Sequence, residues 1–185
     1  MPNAAFWHWA FTPIQAQSLD AARVPWDKAL HSIRAAIGDL ELCRKEATAN
    51  AELLDYFLFG ARRMELRFQR ELDRLQAVLA YRNARSGPWA EAISWVERSE
   101  AILRSSRDAH HAMSERFAEL WNRENKPYAL DWTLRRYDEL IAKYNAELDL
   151  LARVRQGAKS SRSLPTPQEV GLEWINTVPA KSASR

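Results

Sequence analysis

"ENKPYALDW", residues 124–132, interrupts two long runs of helical periodicity. On its C-terminal side Leu134, Tyr137, Ile141, Tyr144, Leu148 and Leu151 step by three and four, which puts them on one face of a helix. On its N-terminal side Trp89, Ile93, Val96, Leu103, His110, Met113, Phe117 and Leu120 form a second stripe, with Ser99 and Ser106 weakening its middle. Pro127 has no N–H, and its ring blocks the preceding turn, so one helix ends and another begins there. Asn125 is placed to cap the corner, and Tyr128, Leu130 and Trp132 are expected to close that end. Each striped helix needs a partner, and a short corner supplies one by turning the chain back on itself.

The same punctuation recurs upstream. Breaks are expected at "VPWD" (24–27), "RSGPW" (85–89) and "ATANAE", where Asn50 is placed to accept a hydrogen bond from an early backbone N–H. Between them Trp26, Leu30, Ile33, Ile37, Leu40 and Cys43 make one stripe. Leu54, Phe57, Ala61, Met64, Phe68, Leu72, Leu75 and Leu79 make another. The pattern predicts an all-α fold, an antiparallel bundle of about four long helices. Its expected organisation is an aromatic lead-in over 1–24, the bundle over 25–156, and a Ser- and Pro-rich flexible, disordered tail over 157–185. Gly60 falls inside the second long helix, where a close approach to a neighbouring helix is the expected reason for it.

Composition sets further limits. With 185 residues and 46% hydrophobic content the chain is large enough for one domain with a real core. A single cysteine, Cys43, excludes a disulfide within the chain and is expected in the core. The formal net charge is +3, but Lys159, Arg162, Lys181 and Arg185 against Glu169 and Glu173 contribute +2 of it, leaving a near-neutral body. Such a body does not suggest nucleic acid as a partner. The segment after Met1 lacks the clean apolar run of a signal peptide, and no stretch suggests a membrane span, so a cytoplasmic location is the default expectation.

The chemistry-bearing residues point away from catalysis. No glycine-rich phosphate loop, HExxH, CxxC or nucleophile elbow occurs. His110 and His111 are neighbours about 100° apart on a helix and cannot chelate one ion, so no metal or other cofactor is expected. Asp138 and Glu139 belong to solvated helix surface. Arg62 and Arg63 are expected to bridge to carboxylates or helix ends, with contact to an anion or a sugar as the alternative.

Two stretches carry a resemblance. In "NAELLDYFLFGARRMELRFQRELD" (50–73) the features are Asn50, Leu53, Leu54, Asp55 and the run Gly60-Ala61-Arg62-Arg63. In "LWNRENKPYALDWTLRRYDELIAKY" (120–144) they are Trp121, Glu124-Asn125-Lys126-Pro127, Leu130 and Arg136-Tyr137-Asp138. Together they resemble the helical region that follows the catalytic barrel in bacterial family 20 glycoside hydrolases, the β-N-acetylhexosaminidases. The resemblance implies a non-catalytic accessory domain or fragment of an enzyme acting on N-acetylhexosamine glycosides, with the catalytic barrel as its partner. The family's His-x-Gly-Gly-Asp-Glu motif does not occur here, and its acid role does not pass to Asp138 and Glu139. Arg62, Arg63, Asn125, Tyr128 and Trp132 are the candidate ligand or barrel contacts. The rival expectation is a free-standing helical interaction protein that self-associates through "FWHWAF", which would form a sticky patch if exposed. Circular dichroism should show a chain more than half helical; a spectrum dominated by strand would rule out the bundle.

Overall fold

The computed structural model describes residues 4–12, 16–124 and 128–169. Among these residues the chain is all-helical: α1 (Ala4–Phe11), α2 (Ala16–Glu46), α3 (Ala51–Ser86), α4 (Trp89–Glu124) and α5 (Leu130–Ser161). The α3–α4 corner falls at "RSGPW". There the Gly87 N–H donates to Asn83 O at 2.8 Å, and a Cβ on Gly87 would meet that same oxygen at 2.8 Å. Only glycine fits so close an approach.

The other breaks differ in detail. Pro25 sits inside α2 and does not start a helix. Residues 23–25 are exposed, so water can satisfy the carbonyl that loses its N–H partner, and an Arg23–Asp27 pair at 2.8 Å spans the proline. Asn50 makes no side-chain cap; it adopts φ 54°, a left-handed conformation asparagine tolerates, and its backbone oxygen accepts from Leu53 N–H. At the opening stretch α4 ends at Glu124 and α5 begins at Leu130, and the expected cap at Asn125 and stop at Pro127 lie outside the described residues.

Packing follows chain order. α2 lies on α3, α3 on α4 and α4 on α5, while α1 lies on α3. The core joins Tyr81, Val96, Leu103, Leu148, Leu151 and Val154 to Phe6, Trp7 and Phe11 of α1. The aromatic lead-in is therefore not an exposed patch: Phe6 and Trp7 are fully buried, with their rings edge-on to Tyr81 at 6.1 and 5.3 Å. Arg85 donates to Ala10 O at 3.1 Å and sits over the Phe11 ring, which supplies a partner to a carbonyl in the last turn of α1.

The α5 stripe is inward, with Tyr137, Tyr144, Leu148 and Leu151 all buried. The α3 stripe is only half right. Phe57 and Met64 are exposed, Leu58 is buried in their place, and Phe68 is half-buried against Trp26 at 5.5 Å. Cys43 is exposed rather than in the core. Gly60 has nothing within 4 Å of a would-be Cβ, so no helix approaches closely there. At the C-terminal end α5 runs four residues past Gly157 and buries Ala158, and Leu164 packs against the core. Of the tail expected over 157–185, residues 170–185 lie outside the described residues.

Tyr81→Ala should cost about 3–5 kcal/mol in urea unfolding, because the ring is fully buried. Tyr81→Phe should cost nothing, since the hydroxyl has no hydrogen-bond partner. Gly60→Ala should gain about 0.5–1 kcal/mol, since the position is open and helical. Loss of stability in Gly60→Ala would show that its hydrogen is needed.

Candidate functional site

Because α2 covers α3 and α5 covers α4, a groove is left on each side of the α3–α4 pair. The larger, about 710 Å³, runs between α2, α3 and α4 over a floor that includes Leu58, Phe59, Leu66 and Met113. Its rim arginines are paired with carboxylates: Arg62 meets Glu41 at 2.7 Å, and Arg44 meets Asp55 at 2.5 Å. Asp55 is the junction. It is only 8% exposed and also receives Arg123 at 3.1 Å, with Arg116 at 3.9 Å. The hydrogen bond from Arg44 holds its carboxyl below the usual carboxylate range against the opposing effect of burial, and Arg123 and Arg116 add to the lowering. Apart from Lys45, the charges lining this groove are largely balanced by one another.

The second groove, about 510 Å³, lies between α3 and α5 with His110 of α4 along it. Four arginines line it, Arg63, Arg67 and Arg70 from α3 and Arg136 from α5, and no carboxylate does. On α3 the spacing i, i+4, i+7 aligns the three on one side of the helix. Arg70 is held by Glu71 at 2.9 Å, but among the described residues Arg63, Arg67 and Arg136 have no ion-pair partner. All three are exposed. Between them Tyr137 is 8% exposed, and its hydroxyl is buried without a hydrogen-bond partner among the described residues. Burial raises the Tyr137 pKa and the charge of Arg63 opposes it, so the phenol stays protonated at neutral pH and can donate.

His110 completes this wall. Its Nδ1 lies 2.7 Å from Ser106 O, a contact in which the ring donates and the carbonyl accepts. Burial first, and then the charge of Arg70, lower its pKa despite that hydrogen bond. The ring is therefore neutral near pH 7, and Nε2 is left as an acceptor. Ser106 also shares a hydrogen bond with Tyr144 Oη at 2.9 Å, so the serine that weakens the α4 stripe in sequence is a buried polar tie between α4 and α5. His111 points elsewhere, exposed beside Glu115, and no group of three or more His, Cys, Asp or Glu side chains able to hold a metal occurs among the described residues. Asp138 and Glu139 are exposed.

The structure separates the candidates. Arg62 and Arg63, adjacent in sequence, face different grooves: Arg62 is tied to α2, and Arg63 turns toward α5. Tyr128 and Trp132 are 87% and 77% exposed and do not seal the bundle end. Ala129 between them has φ 66°, a left-handed conformation that costs about 1–2 kcal/mol outside glycine. Trp132 sits one turn before Arg136 on α5. Asn125 lies outside the described residues. Arg67, Arg70 and Thr133 were not singled out from the sequence. The signal available for the two arginines was a ladder along α3 whose nearest acid, Glu71, binds Arg70 and Arg74.

Compared with known proteins, no protein-family model, no curated protein and no solved structure matches the chain.

The Asp55 junction gives a pH dependence. Its folded-state pKa lies below the unfolded value of about 3.9. Its contribution is therefore complete above that value and is lost as pH falls through the lowered folded pKa. Asp55→Asn should be destabilised at pH 7 and converge with the parent protein as both are acidified, read from urea midpoints between about pH 7 and 2. A difference that stays constant over that range would refute the assignment.

Proposed function

We propose that this chain is a non-catalytic helical binding module whose working surface is the α3–α5 groove and whose ligand is anionic. The observation that carries this is the set of four arginines lining one concave surface without a carboxylate among them. Unpaired like charges at close range repel, and an anion relieves that cost while gaining charge-assisted hydrogen bonds from planar guanidinium forks. The orphaned Tyr137 hydroxyl supports the reading, since a buried donor without an acceptor is costly and a ligand oxygen would satisfy it.

The scaffold we infer for this is an antiparallel bundle of the four long helices. Cross-helix partners support it, because they run in opposite numerical order: Arg44 with Asp55 and Arg34 with Glu65, then Ser106 with Tyr144 and Glu100 with Arg155. The setting we propose is the one implied by the GARR, ENKP and RYD runs, an accessory domain beside a family 20-like catalytic barrel. The groove and the exposed Tyr128 and Trp132 then form the contact face. Self-association through the N-terminal aromatic segment has less support, because Phe6, Trp7 and Phe11 are buried within the chain itself.

Binding of fluorescent poly-L-glutamate at low ionic strength tests the groove. Replacing Arg63, Arg67 and Arg136 together by Gln should weaken binding at least about tenfold and flatten its salt dependence. Replacing Arg34 and Arg62, whose charges are already paired, should leave it unchanged. Equal loss in both variants, or in neither, would overturn the assignment.

A further inference from the structure

We propose that the occupant of the α3–α5 groove is an acidic amphipathic helix presented by a partner protein. This rests on the reading of the groove as an anion site, and it adds what shape and chemistry the anion has.

Spacing is the first argument. Arg63, Arg67 and Arg70 rise along α3 over about 10 Å, two helical turns. Carboxylates repeating at i, i+3 or i+4, and i+7 on a facing helix have the same rise, so each can meet a guanidinium without distorting either backbone. A compact anion could engage at most one or two of these cations.

The second argument is apolar. Phe57, Met64 and Trp132 are 66%, 50% and 77% exposed, unusual values for side chains so large. Phe57 and Met64 lie two turns apart on one side of α3, and Met64 itself lines the groove. Trp132 is on α5, one turn before Arg136. Phe57 and Met64 thus form an apolar edge on α3 beside its cationic ladder, which is the complement of a helix with one acidic and one apolar face.

Shape supplies the third. α3 and α5 both pack on α4, but not on each other, so the surface between them is concave and walled by two helices. A bilayer surface cannot follow that concavity, and the near-neutral body offers little attraction to a polynucleotide. The chain's own C-terminal segment 170–185 is a poor occupant, since Lys181 and Arg185 outweigh Glu173 and would be repelled.

The test uses the full chain and a designed peptide about 18 residues long, roughly five helical turns, with Glu on one stripe and Leu on the adjoining one. A control of identical composition is reordered to destroy the helical period. Fluorescence anisotropy should give at least about tenfold tighter binding for the amphipathic peptide. Phe57→Ala and Trp132→Ala, both at exposed sites, should each weaken it several-fold with circular dichroism unchanged. Arg63→Glu should abolish it, and a peptide with Lys opposite should restore it. If the two peptides bind alike, and both lose affinity in Arg63→Gln, the groove remains an anion site and the helical occupant is wrong. If neither peptide nor poly-L-glutamate binds, both readings fall. Arginine-dependent binding of single-stranded RNA or phosphatidylserine vesicles, with no preference for the amphipathic peptide, would likewise overturn the proposal.

Discussion

Ser99 donates its hydroxyl hydrogen to the carbonyl of Ala77 at 2.9 Å, with both residues fully buried, and this contact lies inside the α3–α4 seam, toward the Gly87 corner. Small residues let the two backbones come close enough for a serine to reach across to a helix carbonyl, and the buried hydroxyl is thereby satisfied. Everything else hangs on that pair. α1 and α2 rest on α3, and α5 rests on α4. Once α3 and α4 are fixed with each outer helix on one of them, a groove on either side is a geometric necessity.

The two grooves differ in how their charges are resolved. On the α2 side each arginine of the rim finds an acid across a helix boundary, and Asp55 gathers Arg44 from α2 with Arg116 and Arg123 from α4. Those pairs hold the register between helices. On the α5 side Arg70 is held by Glu71 of its own helix, while Arg63, Arg67 and Arg136 have no ion-pair partner among the described residues and lie with a protonated phenol and a neutral imidazole. One side ties the helices together, and the other leaves Arg63, Arg67 and Arg136 exposed.

Much of this was legible from residue spacing, and the exceptions have definite causes. α5 reads correctly because its inward positions are Tyr137, Tyr144, Leu148 and Leu151, so hydrophobicity and burial coincide. The first half of α3 misleads because its inward face carries Asp55, whose burial depends on arginines from other helices, while Phe57 and Met64 look outward. A stripe drawn through the largest apolar residues is therefore turned by about one position. Cys43 and Gly60 fail likewise: whether a position faces a neighbour depends on helices far away in sequence. The N-terminal "FWHWAF" reads as sticky because sequence shows the rings but not Tyr81 waiting 75 residues on. Of the candidate residues, Arg63 lines the α3–α5 groove, whereas the ladder of Arg67 and Arg70 becomes visible only when α5 brings Arg136 to the same groove.

An eight-residue helix is too short to persist alone in water, so α1 owes its shape to α3. It lies with Phe6, Trp7 and Phe11 set against Tyr81, and the carbonyl of Ala10 takes a hydrogen bond from Arg85, which also covers the Phe11 ring. In effect α1 is an intramolecular ligand, a short helix captured by aromatic rings and an arginine on the surface of a longer one. The C-terminal half of α3 thus captures a helix of its own chain with an aromatic ring and an arginine, the residue types that its N-terminal half leaves exposed at Phe57, Arg63 and Arg67.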